Sequence, residues 1–258
     1  TIGPNSDTQA TDHFKAKIYE GVGYDSDGSY TQLGQDVVVG FKPDLVWIKN
    51  RDKSNHNHSL FDSSRGATKR LLSNLSNAEG TESTALTDFD VTGGGFTLGV
   101  NNEVNENDDN FISWNWKANG STTSSNTDGT TTSTVQANTT AGFSIVTYAG
   151  NSASKTVGHG LDSAPEWVIV KSRTDSERWA VFHTSISNQY IYLNENFAGE
   201  TSNADERFGN SSSVVVPNST VVTLGANNSD VNENGDNYIM YCFHSVEGYS
   251  KFGSYIAN

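Results

Sequence analysis

The feature that most constrains the fold of this chain is a segment that occurs twice. Residues 97–117 and 223–244 both begin with Thr-Leu-Gly and continue through Val-Asn-Glu-Asn into an apolar run. Twelve of the twenty-one positions in the first copy are identical in the second, with one residue inserted near Asp230. A repeat of this length defines one structural unit, and it therefore precedes any prediction of single elements.

Weaker matches in the same order extend the repeat. The segment FKAKIYEG at residues 14–21 matches FSIVTYAG at 143–150, and PDLVWIKNR at 43–51 matches PEWVIVKSR at 165–173. The sequence thus predicts one unit at residues 14–118 and a second at residues 135–247, each of ordinary domain size. Residues 1–13 are polar and are predicted to form an N-terminal arm.

Two further segments complete the predicted organisation. Residues 119–134 are rich in Ser and Thr and are predicted to be the linker between the units. Residues 248–258 align without gaps on residues 141–151, which predicts either the first strand of a truncated third repeat or a C-terminal tail. On this interpretation we expect the chain to be a piece of a longer protein.

The composition favours strands over helices. Hydrophobic residues make up only 34% of the chain, and the short apolar runs are separated by turns rich in Gly, Asn, Asp and Ser. Several such strands per unit predict an all-β fold of two tandem antiparallel β-sandwich domains related by internal duplication. In the strand that ends each repeat, Ile112, Trp114 and Trp116 share one face, as do Ile239, Tyr241 and Phe243, and this face is predicted to point into the core.

Oxygen-bearing side chains precede that strand in both copies and suggest a Ca²⁺ site. The candidate ligands are Asn105, Asn107 and Asp109 in the first copy and Asn232, Asn234 and Asp236 in the second. A helix–loop–helix calcium site is excluded, because its twelfth position would be Trp116 and its sixth position is not glycine. The sequence favours the other interpretation, a turn whose polar side chains bind backbone groups. No other cofactor is predicted, since His56 and His58 lack a third ligand at metal-site spacing.

Five residues are candidates for contact with a ligand. Trp47, Trp167 and Trp179 are candidate sugar platforms, although a core position is the commoner one for each. Asp62 and Arg65 could form either a sugar-binding pair or a buried ion pair, and the ion pair is the commoner arrangement.

Several classes of function are disfavoured. The net charge of −14 without a basic stripe argues against nucleic acid as a partner. No apolar run approaches membrane-spanning length, so membrane insertion is not predicted. No nucleophile elbow, zinc-protease helix, phosphate loop or acid pair is evident, and the chain is therefore predicted not to be an enzyme. The single Cys242 excludes an intramolecular disulfide and is interpreted as packing.

Ordered motifs over nearly the whole chain resemble a module of marine tailed-phage virion structural proteins. The first unit carries GFKPDLVWIKNR at 40–51, LFDSSRG at 60–66, GFTLG at 95–99 and WNWKA at 114–118. The second carries NTTAGFSIV at 138–146, VGHGL at 157–161 and YCFHSVEGYSK at 241–251. The resemblance implies lectin-like or jelly-roll sandwich modules at the virion surface, in a tail fibre, an appendage or a capsid-decorating element, and it brings no catalytic residues.

We therefore expect a non-enzymatic virion surface protein that binds host-surface glycans. Homo-oligomers and other virion proteins are its expected partners, because virion appendages are symmetric assemblies. Two alternatives stay open. One is a capsid-decorating or spacer protein without a ligand, and the other is a polysaccharide-degrading tailspike with two facing carboxylates.

Overall fold

A computed structural model describes residues 10–23 and 33–255 of the chain. Strands contain 39% of the residues and helices 6%, which confirms the predicted all-β class with antiparallel sheets. Each helix is a single short turn, and none in the described residues has the length and apolar character required to cross a membrane.

The described chain divides into two compact units. The N-terminal unit contains residues 10–74 and 79–121, and the C-terminal unit contains residues 122–255 together with residues 75–78. Each unit has its own hydrophobic core cluster.

In its described residues, the N-terminal unit contains nine strands and two helical turns. The strands are β1 (Phe14–Glu20), β2 (Gln35–Val38), β3 (Leu45–Asn50), β4 (Ser59–Asp62), β5 (Lys69–Leu72), β6 (Gly80–Thr81), β7 (Leu86–Asp88), β8 (Gly95–Leu98) and β9 (Asn110–Trp116). The helical turns are α1 (Ala10–His13) and α2 (Asn102–Asn105). One sheet has the order β1-β9-β3-β4-β5-β6, and a second has the order β2-β8-β7.

The C-terminal unit contains the other nine strands. They are β10 (Ser124–Asn126), β11 (Ser133–Asn138), β12 (Phe143–Ala149), β13 (Lys155–Gly158), β14 (Trp167–Ser172), β15 (Ala180–His183), β16 (Ile191–Tyr192), β17 (Val221–Leu224) and β18 (Asn237–Phe243). A 3₁₀ turn covers Thr184–Ile186, and α3 covers Ala204–Arg207. The larger sheet has the order β10-β11-β12-β18-β14-β15-β16, and β13 pairs with β17.

The core of the N-terminal unit takes side chains from both of its sheets. Val46, Phe61 and Phe111 come from the larger sheet, and Val37 and Phe96 come from the smaller one. Alternation along each strand sends every second residue into this cluster, because successive side chains of a strand point to opposite faces.

The prediction for the core face of the last strand was wrong. In β9 the buried positions are Phe111, Ser113 and Asn115, whereas Ile112, Trp114 and Trp116 lie half-buried on the opposite face. The prediction chose the face of β9 that carries more aromatic rings. In the structure, the core takes Phe111 from the other face of β9 and its remaining side chains from neighbouring strands.

The C-terminal unit follows the same inward register in its last strand. In β18 the members of the core cluster are Tyr238, Met240 and Cys242. Ile239, Tyr241 and Phe243 are also buried, but on the other face of the sheet. Cys242 is therefore a packed core residue, and burial raises the pKa of its thiol.

One of the two remaining predicted segments also differs from its predicted form. Residues 119–134 do not form a simple linker, because they contain β10, which pairs antiparallel with β11. The strand forms through backbone pairing with β11, although its residues Ser124, Ser125 and Asn126 include no apolar side chain. In residues 248–255 the structure has no strand, although an isolated bridge joins Val246 and Ser250. Residues 256–258 of the predicted tail and residues 1–9 of the predicted arm lie outside the described residues.

Candidate functional site

Four partly exposed side chains form an aromatic face on the outer side of the larger N-terminal sheet. Trp47, His58, Trp114 and Trp116, hereafter the aromatic face, line a shallow depression of about 290 Å³. Strand pairing brings them together, because Trp47 of β3 lies opposite Trp114 of β9 and Trp116 follows two residues later on the same side.

The rings of the aromatic face are held in defined orientations. Trp47 meets Trp114 edge to face at a centroid distance of 6.1 Å and an angle of 73°, and it meets His58 at 6.0 Å and 75°. Trp116 packs against Phe14 of the neighbouring strand at 5.0 Å. Edge-to-face packing of this kind fixes the ring planes relative to one another.

A hydrogen bond sets the protonation state of His58. Nε1 of Trp47 donates to Nδ1 of His58 at 3.0 Å. Because an indole nitrogen can only donate, Nδ1 is the acceptor and the neutral imidazole carries its hydrogen on Nε2. Burial lowers the pKa of His58, and the positive charge of Lys49 lowers it further.

The loop that presents His58 is tied to the sheet by polar contacts. Nζ of Lys49 donates to the carbonyl oxygens of Lys53 at 3.0 Å and His56 at 2.8 Å. The backbone nitrogen of His58 donates to the side-chain oxygen of Asn74 at 2.9 Å. The aromatic face therefore rests on ordered backbone rather than on a loose loop.

The corresponding face of the C-terminal unit is covered. Phe243, at the position of Trp116, is 6% exposed and stacks on Phe143 at 4.8 Å and Trp167 at 5.0 Å. The ring of Phe252 packs over this pair, 5.9 Å from Phe243 and 5.8 Å from Trp167. The segment that follows β9 has Ser125 at the place of Phe252 and supplies no such ring.

The structure separates the other predicted ligand residues from this face in different ways. Trp167 is half-buried within the covered cluster, and Trp179 is 0% exposed, so it offers no accessible ring. Asp62 and Arg65 form a buried ion pair through Oδ2 and Nε, and Nη1 of Arg65 also bonds Glu79 at 3.2 Å. Of the five candidate residues, Trp47 alone belongs to the aromatic face.

The Asn-rich loop of the N-terminal unit binds backbone groups. Oδ1 of Asn105 accepts from the backbone nitrogen of Val22 at 2.9 Å, and its Nδ2 donates to the carbonyl oxygen of Gly99 at 2.8 Å. Asp109 accepts from Nδ2 of Asn50 at 2.7 Å and lies 3.2 Å from Nζ of Lys53. Asn107 is half-buried at the turn itself.

The equivalent loop of the C-terminal unit repeats these contacts. Oδ1 of Asn232 accepts from the backbone nitrogen of Asn151 at 3.1 Å, and its Nδ2 donates to the carbonyl oxygen of Gly225 at 2.7 Å. Asp236 accepts from Ser172 at 3.2 Å, and burial raises its pKa. Asn234 is exposed.

These contacts favour the turn interpretation of the loops over calcium. The amide oxygens that would bind Ca²⁺ already accept hydrogen bonds from backbone nitrogens. In the part of the chain that the structure describes, no group of three or more His, Cys, Asp or Glu side chains is placed to hold a metal ion.

A pocket of about 420 Å³ in the C-terminal unit includes Glu166 and Glu247. Oε2 of Glu166 accepts from the backbone nitrogen of Ser245 at 2.6 Å. At the equivalent place, Oδ2 of Asp44 accepts from the backbone nitrogen of Ala118 at 2.7 Å. Both acids therefore hold the chain where it leaves the last strand, and this shared role favours a structural interpretation of Glu166.

Sequence reasoning missed most of the aromatic face. It selected Trp47, but it placed Trp114 and Trp116 in the core and treated His58 only as half of a metal pair. The sequence does contain a signal for this face. Trp114 and Trp116 lie on one side of β9 and Phe111 lies on the other, and one strand cannot bury both of its faces in one core.

The fold is that of an all-β protein of antiparallel sheets, and its N-terminal unit carries a partly exposed aromatic face. The chain belongs to the family described as a domain of unknown function (DUF7483), which matches residues 9–258 and so covers both units. Neither the curated proteins nor the solved structures contain a significant match.

Proposed function

We propose that this protein is a non-enzymatic, carbohydrate-binding component of a phage virion surface, and that the aromatic face is its glycan site. The single observation that carries the proposal is the cluster of partly exposed rings of Trp47, Trp114 and Trp116, which line one shallow depression with His58 on the sheet. Aromatic side chains that line a surface depression beside a polar group are typical of ligand-binding sites.

The chemistry of the face suits a neutral sugar. Flat indole rings stack on the apolar face of a pyranose, and a few polar groups beside them fix its orientation. Nε2 of His58 provides such a group, because the contact of Nδ1 with Trp47 leaves the hydrogen on Nε2. Because the net charge of the chain is −14, polyanionic ligands are repelled and neutral ligands are favoured.

The matched architecture of the units supports two tandem β-sandwich domains that arose by internal duplication. The order β1-β9-β3-β4-β5 in one unit parallels β12-β18-β14-β15-β16 in the other. The hydroxyl of Tyr19 donates to the carbonyl oxygen of Val104 at 2.8 Å, as that of Tyr148 does to Val231 at 2.9 Å. A shared hydrogen-bond pattern at repeat-related positions is the expected trace of a common ancestor.

The proposed location rests on the sequence resemblance to marine tailed-phage modules. Tail fibres and appendages contact host glycans, so an exposed aromatic face fits that setting. Other virion proteins are then the expected partners.

The test is a glycan array followed by titration calorimetry on the hits. The intact chain should bind one class of neutral glycan, and Trp47→Ala and Trp114→Ala should each weaken binding at least tenfold. Phe197→Ala is the matched control, because Phe197 is an aromatic residue of the C-terminal unit that is 56% exposed. Circular dichroism should show that all three variants are folded.

Two results would count against a glycan role. Binding that persists in both Trp variants would move the site elsewhere. If folded protein at high valency binds nothing on the array, a capsid-decorating or spacer role is favoured. The C-terminal unit, whose corresponding face is covered by Phe252, already fits such a role.

A further inference from the structure

The first strand of the N-terminal unit is an open edge. Strand β1 lies at the end of its sheet and pairs on one side with β9. Hydrogen bonds from Lys117 to the carbonyl oxygen of His13 and from Gly21 to that of Asp109 bracket the pairing. In an antiparallel ladder the bonded residues alternate, so backbone groups of Lys15, Lys17 and Tyr19 point to β9.

The intervening residues of β1 point their backbone groups away from the sheet. Among the described residues, the backbone groups of Phe14, Ala16 and Ile18 have no hydrogen-bond partner on this side. The carbonyl oxygen of Glu20 accepts from Nε2 of Gln35 at 3.0 Å. The side chain of Ile18 is 56% exposed. Such an edge is a template for another strand.

The C-terminal unit provides a precedent for what covers this edge. Its strand β12 matches β1 in sequence, and β11 pairs antiparallel with it. Phe143 and Ile145 of β12 correspond to Phe14 and Ala16 of β1. Their backbone groups face β11, where they lie opposite Asn138 and Gln136. An antiparallel strand therefore fits this edge without a change in the underlying sheet.

We propose that β1 pairs with β1 of a second copy of this chain to form a two-fold symmetric dimer. The other terminal strands of the two larger sheets, β6, β10 and β16, have only two or three residues, whereas β1 has seven. A second copy thus offers a long open edge of matching length and direction. Two-fold pairing is also the commonest symmetry of soluble homo-oligomers.

Side-chain chemistry selects the register of this pairing. If Ile18 lies opposite its own symmetry mate, Ala16 lies opposite Glu20 of the second copy and Lys17 lies opposite Tyr19. A shift of one step would place Lys17 opposite Lys17, and like charges opposed across strands are destabilising. The register centred on Ile18 also removes two exposed isoleucine side chains from water.

The symmetry has a consequence for ligand binding that rests on the function proposed above. Residues opposed across an antiparallel pair share a face of the sheet. The aromatic faces of both copies would then lie on the same side of one continuous sheet. A dimer would bind a repeating glycan at two points, with the gain in avidity that follows.

Sedimentation velocity over a range of concentrations tests the dimer. The wild-type chain should approach twice its mass of 27.8 kDa as concentration rises. Ile18→Pro removes an outward N–H without breaking a bond to β9 and should leave the protein monomeric. Ile18→Lys should also leave the protein monomeric, because two lysines would then oppose each other across the pair. Val38→Lys is its control, because Val38 is a 46% exposed residue on edge strand β2. A wild-type monomer at every concentration, or a dimer that survives Ile18→Pro, would overturn the proposal.

Cysteine cross-linking tests the register independently of any ligand. Opposed residues in a hydrogen-bonded antiparallel pair have Cα atoms about 5.5 Å apart, within disulfide range. Ile18→Cys should therefore give a covalent dimer on oxidation, whereas Ala16→Cys should not. Cross-linking through Ala16→Cys alone would refute the register. Because neither assay uses a sugar, their failure would leave the glycan proposal untouched, and failure on the array would leave the dimer untouched.

Discussion

Nε1 of Trp47 in β3 donates a 3.0 Å hydrogen bond to Nδ1 of His58, the residue immediately before β4, on the outer side of their sheet. This contact fixes the plane of one indole ring and the tautomer of the imidazole together. It makes the geometry of the aromatic face dependent on the charge of a single histidine.

The first prediction concerns pH. Burial and Lys49 lower the pKa of His58 in the folded state, so the unfolded chain binds a proton more readily. The stability contributed by neutral His58 is therefore complete above its unfolded pKa of about 6.5 and is lost as pH falls through the lower folded pKa. Thermal unfolding between pH 7.5 and pH 5 should show a smaller acid-induced loss in His58→Gln than in the wild type.

The same comparison separates His58 from other histidines. Burial lowers the pKa of His13 and His159 as well, so each of them adds acid sensitivity of the same sign. His13 and His159 are present in both the wild type and His58→Gln. The difference in acid-induced stability loss between the two proteins therefore reports on His58 alone. Equal acid sensitivity of wild type and His58→Gln would show that the contact with Trp47 does not couple to folding.

The second prediction concerns the two faces of β9. Phe111 is fully buried and stacks on Tyr19 at 5.3 Å, whereas Trp114 is half-exposed. Phe111→Ala should lower the free energy of unfolding by about 3–5 kcal/mol. Trp114→Ala should lower it by about 1 kcal/mol, as expected of a partly exposed side chain. Urea unfolding followed by circular dichroism measures both free energies. A larger loss for Trp114→Ala than for Phe111→Ala would show that the core face of β9 is the one that carries Trp114.

The third prediction concerns two glycines at matching positions. A Cβ on Gly21 would lie 1.9 Å from the carbonyl oxygen of Glu106, and one on Gly150 would lie 1.9 Å from that of Glu233. Each alanine variant should lose about 3 kcal/mol or more, because backbone has to move to relieve the overlap.

Two alanine substitutions elsewhere are the controls for the glycine variants. A Cβ on Gly80 would have its nearest contact at 3.9 Å, and one on Gly253 would have none within 4 Å. Both substitutions should be close to neutral. Thermal unfolding of the four single variants gives the comparison, and a neutral Gly21→Ala would contradict the close approach of the Asn-rich loop.

The fourth prediction concerns the buried asparagines. Asn105 and Asn232 each bridge two backbone segments through both atoms of the side-chain amide. Alanine at either position leaves buried backbone groups unpaired and should cost about 2–4 kcal/mol of unfolding free energy. Asn107→Ala and Asn234→Ala are the neighbouring controls and should change it by less than about 0.5 kcal/mol.

The fifth prediction concerns calcium. A site filled at a hundred times its Kd would add about 2.7 kcal/mol to the stability of the folded chain. Because Asn105 and Asn232 are committed to backbone groups, we expect the unfolding temperature to be the same in calcium and in chelator. An unfolding temperature that is higher in calcium than in chelator, with the difference lost in Asp109→Asn or Asp236→Asn, would establish the loops as metal sites.

The sequence by itself determined the class of fold and the equivalence of the two Asn-rich loops. Short β-branched and aromatic runs between Gly, Asn and Ser turns predict antiparallel strands, and the structure confirms the all-β class. The repeat at residues 97–117 and 223–244 likewise places Asn105 and Asn232 at corresponding positions, and their hydrogen bonds match.

Only the tertiary structure decided which face of β9 is buried and what the polar segments do. Period-two alternation distinguishes the two faces of a strand, but burial depends on which side chains neighbouring strands contribute to the core. For the same reason Asp62 and Arg65 could be a site or an ion pair until their mutual contact was visible. The partial exposure of Trp47, Trp114 and Trp116, in contrast to the burial of Phe243 beneath Phe252, likewise depends on packing rather than on any single residue.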